Sequence, residues 1–142
     1  MAKPFAIIRV DSCTRVSKDE MANPYALVVE DEPLVAELFQ RALQDAGYQA
    51  EIMDNGHKAQ AQLVFTSPEI VLLDMNLPSI SGSVLLRQIR AQRRLSGTHV
   101  VVVTGDKESA KRLASEADQV LVKPVGYEQV REVAERYLHK FI

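Results

Sequence analysis

The sequence predicts an open α/β sandwich, a parallel five-stranded sheet with helices on both faces, and three observations carry that class. From Tyr25 onward, short apolar runs alternate with segments of helical periodicity. Nearly every residue in those runs is apolar and many are β-branched, which suits strands covered on both faces. Turn and cap residues fall between the segments, and strict alternation of strand and helix implies right-handed crossovers within one parallel sheet.

The strand-like runs are Ala26–Val29, Ile70–Leu73, Val100–Val103 and Val120–Val122, with a weaker candidate from Tyr48 to Met53. The first helix is marked by Val35, Leu38, Phe39, Ala42 and Leu43, which form one apolar stripe. Pro33 suits its first turn, where a missing N–H has no intrahelical partner, and Gly47 stands where a left-handed cap is expected. Asn55–Thr66 and Lys107–Ala117 are weaker helices whose apolar side is mostly alanine and leucine. Pro78 and Gly82 punctuate the passage into a helix carrying Leu85, Leu86 and Ile89. The last helix repeats the stripe through Val130, Val133, Ala134, Tyr137, Leu138 and Phe141.

Residues 25–142 form the predicted domain. Residues 1–24 lack a helical stripe and read as an N-terminal extension, either a genuine arm or a flexible, non-native segment ahead of Met21. At 142 residues the chain fits one domain. Hydrophobic content of 46% and 25% charged residues fit a folded globular protein. A net charge of −2 gives no general reason to bind nucleic acid or an anionic membrane. The single cysteine, Cys13, excludes an intramolecular disulfide framework. No apolar run approaches the roughly 20 residues of a membrane span, and a cytoplasmic location is expected.

Ligands of open α/β sheets bind beyond the carboxyl ends of the strands. Glu30-Asp31 closes the first strand, Asp74 the third, Thr104-Gly105 the fourth and Lys123-Pro124 the fifth. If the first and third strands are neighbours, three carboxylates meet at one edge, and their repulsion calls for a cation. Mg²⁺ suits oxygen ligands and keeps several of its waters. Asp74 then serves as a nucleophile toward a phosphoryl group, with Lys123 and Thr104 available to its oxygens. Each residue alone has a plainer reading: Asp31 before Pro33 suits a helix cap, and Asp74, Thr104 or Lys-Pro suit strand ends and loops. Their order at four successive strand ends favours the joint reading. His57, His99 and His139 stand apart and read as surface or packing residues.

Four stretches, Leu27–Pro33, Ile70–Pro78, Val101–Gly105 and Val120–Pro124, together resemble the receiver domain of bacterial response regulators, over nearly the whole span from Tyr25 to Ile142. That resemblance implies a flavodoxin-like doubly wound sheet of order 2-1-3-4-5 with five helices. It implies that Asp74 accepts a phosphoryl group from a histidine kinase or a histidine phosphotransfer protein. Asp31 would bind Mg²⁺ directly, Glu30 through water, and Asn76 through its backbone carbonyl; Asp74 completes the metal set. Thr104 would be the switch hydroxyl and Lys123 the conserved lysine of the pattern, with a cis Lys123–Pro124 bond. The chain would be a signalling phosphoacceptor, not an enzyme with an outside substrate.

Three positions depart from the family pattern. Glu30 replaces the commoner Asp, and Gly105 stands where Ala is usual. Val120 replaces an aromatic residue whose ring turns inward as the switch Thr moves. Output is expected at the face made by the fourth helix, fifth strand and fifth helix, toward a downstream protein or a second copy. The chain would be either a stand-alone regulator or one domain of a larger protein. Asn76 and Asp106, two residues beyond Asp74 and Thr104, are placed to reach an attacking water, so self-dephosphorylation within minutes is expected. Two rival readings are a pseudo-receiver that binds without being phosphorylated and a haloacid-dehalogenase-type phosphohydrolase. The latter needs a second Asp where Asn76 stands.

Overall fold

Continuous apolar runs can bury both faces only in the middle of a three-layer structure, and that is where they lie. The computed structural model describes residues 23–138. The expected N-terminal extension falls almost wholly outside them, as do His139 and Phe141. The elements are β1 (Tyr25–Val29), α1 (Pro33–Ala46), β2 (Gln49–Met53), α2 (Gly56–Phe65), β3 (Ile70–Asp74), α3 (Gly82–Ala91), a 3₁₀ turn (Arg93–Leu95), β4 (His99–Thr104), α4 (Lys107–Leu113), β5 (Gln119–Val122) and α5 (Tyr127–Arg136). All strand pairs are parallel, in the order β2-β1-β3-β4-β5. This is the doubly wound flavodoxin-like order expected from the sequence.

Alternation along each strand divides the core in two. Ala26, Val28, Ile70, Leu72, Val101 and Val103 face α1 and α5. Leu27, Val29, Val71, Leu73, Val100 and Val102 face α2, α3 and α4. On the first face Phe39, Ala42 and Leu43 pack with Val130, Val133 and Ala134. β2 gave the weakest sequence signal because it is an edge strand; Gln49 and Glu51 point to solvent. Gly47 takes the predicted left-handed cap, with φ 113°.

The fourth helix is shorter than expected, ending at Leu113 instead of Ala117. Asp118 explains the early exit. Its Oδ2 accepts hydrogen bonds from Val100 N at 2.7 Å and Arg90 Nη2 at 2.8 Å, so the chain must leave the helix to bring Asp118 to the start of β4. Arg90 also donates through Nε to Glu116 O at 2.7 Å and through Nη1 to Thr98 O at 3.2 Å. Burial pushes the Asp118 carboxyl up, but the Val100 N–H and the Arg90 guanidinium outweigh it and hold the group below its ordinary value. A lowered folded-state value means that this group's stabilisation is complete above the ordinary carboxylate range and lost as pH falls through the folded value. Asp118→Ala, which orphans the Val100 N–H, is expected to cost about 1–3 kcal/mol in urea denaturation at pH 7. The difference from wild type should shrink below about pH 4.

Candidate phosphoacceptor site

Strand register brings the site together. Val29 of β1 pairs with Leu73 of β3, Asp74 with Val103 of β4, and Thr104 with Val122 of β5. The residues that end these strands therefore emerge at one edge of the sheet. Ligand atoms of Glu30, Asp31 and Asp74 all lie within 4.8 Å of one another, and Lys123 Nζ lies 3.1 Å from Asp74 Oδ1. Glu30, Asp74 and Thr104 are each only 3% exposed, whereas Asp31 is open to solvent.

Asp31 does not cap α1. The cap position is Glu32, whose own side chain makes no capping hydrogen bond, so the plainer reading of Asp31 has no support in the geometry. Glu30 Oε2 instead accepts from Glu32 N at 3.2 Å. Glu30 Oε1 is buried with no hydrogen-bond partner, and Asp74 Oδ1 accepts no well-directed hydrogen bond, so its compensation is the charge of Lys123. Burial, with the Asp74 and Asp31 charges adding to it, pushes the Glu30 carboxyl up to about 7 against the opposing Glu32 N–H and Lys123. For Lys123, burial lowers the ammonium, but its close pairing with Asp74, followed by the charges of Glu30 and Asp31, raises it overall.

Three carboxylates crowded to this degree, two of them buried and Glu30 with an unpartnered oxygen, fit a hard cation with oxygen ligands. Asn76 is exposed in the loop after β3 and lines a groove with Met75, Ser83, Thr104, Asp106 and Arg112. The Lys123–Pro124 bond is cis, as expected. Gly105 is exposed beside Thr104, and its missing Cβ would stand 4.0 Å from Lys123 Cδ. Val120 is half-buried and flanks a groove with Ala110, Lys111 and Ala114. His57 is exposed; the His99 ring stacks on Tyr137 with centroids 4.6 Å apart, which makes it a packing residue.

Two roles did not follow from the sequence, the capping by Asp106 and the close packing at Gly82 and Gly56. Asp106 has both carboxylate oxygens committed to α4: Oδ1 accepts from Glu108 N at 3.1 Å and Oδ2 from Ser109 Oγ at 2.8 Å. Of the two side chains expected to reach an attacking water, it is therefore turned to capping. The loop after Asp74 is also pinned from two sides. A Cβ on Gly82 would lie 2.5 Å from Asp74 O, and one on Gly56 would lie 2.6 Å from Ile80 O. Between them Ser79 adopts φ 66°, an uncommon conformation for a residue with a side chain. Glycine next to the loop after Asp74 was the available signal, but only the contacts give it meaning.

Among known proteins, the Response regulator receiver domain family matches residues 26–135. Transcriptional regulatory protein BaeR of Escherichia coli is 34% identical over 111 residues, covering 76% of this chain and 45% of that protein. Sensory transduction protein RegX3 of Mycolicibacterium smegmatis is 36% identical over 101 residues, covering 69% of this chain and 43% of that protein. The chain thus spans about half the length of the curated relatives it matches. The chemotaxis response regulator CheY4 of Vibrio cholerae superposes with a TM-score of 0.74 at 25% identity, covering 82% of this chain and 99% of that one. Response regulator TrrA of Thermotoga maritima, solved in complex with Mg²⁺-BeF, gives 0.71 at 28% identity, covering 81% and 99%. With a receiver-type strand order, an acidic cluster at the carboxyl edge and a family match across 26–135, the chain belongs to the response regulator receiver domain family.

Proposed function

We propose that Asp74 is the phosphoacceptor of this chain, and that a histidine kinase or histidine phosphotransfer protein supplies the phosphoryl group. Phosphorylation on an aspartate is the general function of receiver domains, and the family works with histidine kinases and downstream effectors. The observation that carries the assignment is the Lys123 ammonium 3.1 Å from Asp74 Oδ1, at the centre of an otherwise acidic cluster. The domain occupies residues 25–142, with residues 1–24 outside it.

In the transfer step an Asp74 oxygen attacks phosphorus, the donor's N–P bond breaks, and the imidazole leaves with its electron pair and takes a proton from solvent. An acyl phosphate forms. Asp74 supplies the nucleophile, Lys123 a positive charge for one phosphoryl oxygen, and the Thr104 hydroxyl a hydrogen bond for another. Glu30, Asp31 and Asp74, with the Asn76 carbonyl, would hold Mg²⁺, which when bound neutralises the carboxylates and the developing phosphoryl charge. Asn76 remains as the side chain available to orient a hydrolytic water, so the acyl phosphate should decay within minutes. An acyl phosphate persisting for many hours with Mg²⁺ present would sink that expectation.

The face of α4, β5 and α5 is the proposed output surface, for a downstream protein or a second copy. Lys123→Ala should still accept some phosphoryl group but lose its coupling to partner binding.

Incubation with acetyl phosphate and Mg²⁺, followed by intact mass, tests the assignment. The wild-type chain should gain one phosphoryl group, and chelation should prevent the gain. No gain with Mg²⁺ present would favour a pseudo-receiver. Metal binding itself has a separate readout. At tenfold excess over its dissociation constant, Mg²⁺ should stabilise the fold by about 1.4 kcal/mol in urea denaturation. Asp31→Asn should remove most of that increment, because it deletes the solvent-facing ligand of the cluster.

A further inference from the structure

Thr104 and Asp106 are joined by a hydrogen bond that links the site to a neighbouring helix. Thr104 Oγ1 accepts from Asp106 N at 3.2 Å. A hydroxyl that receives this N–H keeps its single proton for another acceptor. We propose that Asp106 is a positioning residue for Thr104, and that the chain Thr104–Asp106–Ser109–Arg112 couples phosphorylation to the first turn of α4. The inference rests on the reading of Asp74 as phosphoacceptor.

The backbone N–H of Asp106 can serve Thr104 only if its peptide is held, and the Asp106 side chain holds it. One carboxylate oxygen takes the Glu108 N–H, the other the Ser109 hydroxyl, and Ser109 Oγ in turn accepts from Arg112 Nη2 at 2.9 Å. The Ser109 hydroxyl, followed by the Glu108 N–H, holds this carboxyl below its ordinary value. The cap is thus in its accepting, ionised form at neutral pH.

The helix it caps is weakly anchored. α4 spans only Lys107–Leu113, and Leu113 is its one buried residue. An element with so little apolar burial sits at the low-stability end of a domain, where a side-chain cap is a large share of what orders the first turn. The groove between α4 and β5 is lined by Ala110, Ala114 and Val120 together with Lys111, Asp118 and Gln119, and it holds no aromatic side chain. Val120 offers no ring to transmit a movement of Thr104, whereas the Asp106 cap touches both Thr104 and the helix.

When the Thr104 hydroxyl turns toward a phosphoryl oxygen, the Asp106 N–H must follow it or lose its acceptor. Either response shifts the cap. Linkage makes the effect reciprocal: whatever orders the first turn of α4 favours the same Thr104 orientation by the same factor.

Amide hydrogen exchange across residues 104–113 of the full chain, with and without Mg²⁺ and beryllofluoride, reads this coupling directly, alongside intact mass after acetyl phosphate. In the wild type, beryllofluoride should change exchange at Glu108–Ala110 several-fold. Asp106→Ala should raise their resting exchange by about fivefold, the equilibrium factor of a lost helix cap, and shrink the beryllofluoride response to less than twofold. Asp106→Asn keeps an acceptor at Oδ1 and should recover most of the response, which a merely structural defect would not do. A full response in Asp106→Ala overturns the proposal, as does a wild-type chain that loads a phosphoryl group without any change at α4. A wild-type chain that gains no mass overturns the reading of Asp74, and the coupling falls with it.

Discussion

Asp74→Asn, treated with acetyl phosphate and Mg²⁺ under conditions that load the wild-type chain, will gain no phosphoryl group. A carboxamide oxygen carries no negative charge and is a poor nucleophile, and attack through it would give an O-phosphoryl imidate with loss of an N–H proton, so this position loses its route to an acyl phosphate. The same substitution has a second consequence that needs no phosphodonor. Asp74 is buried beside Glu30 and Asp31, and Lys123, its one compensating charge among the described residues, is 37% exposed and correspondingly screened. Two like charges on one side therefore weigh against one partly solvated partner on the other. In chelator, Asp74→Asn should be at least as stable as the wild type, and the increment given by Mg²⁺ should disappear. A phosphoryl group found on Asp74→Asn would move the acceptor elsewhere. A marked loss of stability would instead mean that the Lys123–Asp74 pair supports the fold more than the cluster strains it.

Gly82→Ala will lower stability, against what helix propensity alone suggests. Alanine is the better helix former by up to about 1 kcal/mol, and Gly82 is the first residue of α3. The added methyl, however, would stand 2.5 Å from Asp74 O and 2.8 Å from Met75 Cα. Both are backbone atoms at the end of a buried strand and cannot yield as a side-chain tip can. Overpacking of this kind costs typically about 1–3 kcal/mol, so a net loss of roughly 2 kcal/mol is expected. At about 4–8 °C per kcal/mol the melting temperature should fall by about 10 °C. Gly97→Ala is the matched control, since nothing lies within 4 Å of its missing Cβ; it should be near neutral. Equal melting of Gly82→Ala and wild type would show that the loop after Asp74 is looser than its contacts suggest.

Strand positions and the gathering of charged residues at one sheet edge were legible in the sequence because both follow from local pattern. Two-sided burial demands unbroken apolar runs, and the charged residues at strand ends stand out against them. What the spacing could not give was the environment of each carboxylate. Glu30 and Asp31 are adjacent, yet one is buried with an unpartnered oxygen and the other faces solvent. Their separation depends on where α1 begins, and Glu32 takes the cap position that Asp31 might have filled. Long-range bonds hid other features. α4 stops early because Asp118 is needed at β4, eighteen residues from Val100 in sequence. The 3₁₀ turn at Arg93–Leu95 was not predicted; Arg94 ties it to the carbonyls of Leu63 and Thr66, at the end of α2. Asp106 looked like a site residue by its distance from Thr104, and its bonds make it a helix cap as well.

The valine run of β4 also matters before the protein is folded. His99-Val-Val-Val-Val-Thr104 has no proline, glycine or formal acid or base apart from its first residue, the composition of segments that stack into cross-β aggregates. In the finished sheet it is shielded on one edge by β3 and on the other by β5. β5 is synthesised after β4. During translation, and in any truncation before Gln119, this strand has one edge open. The β4 strand, which supplies Thr104, therefore also sets a hazard for biosynthesis, and chains cut short of β5 should partition into the insoluble fraction.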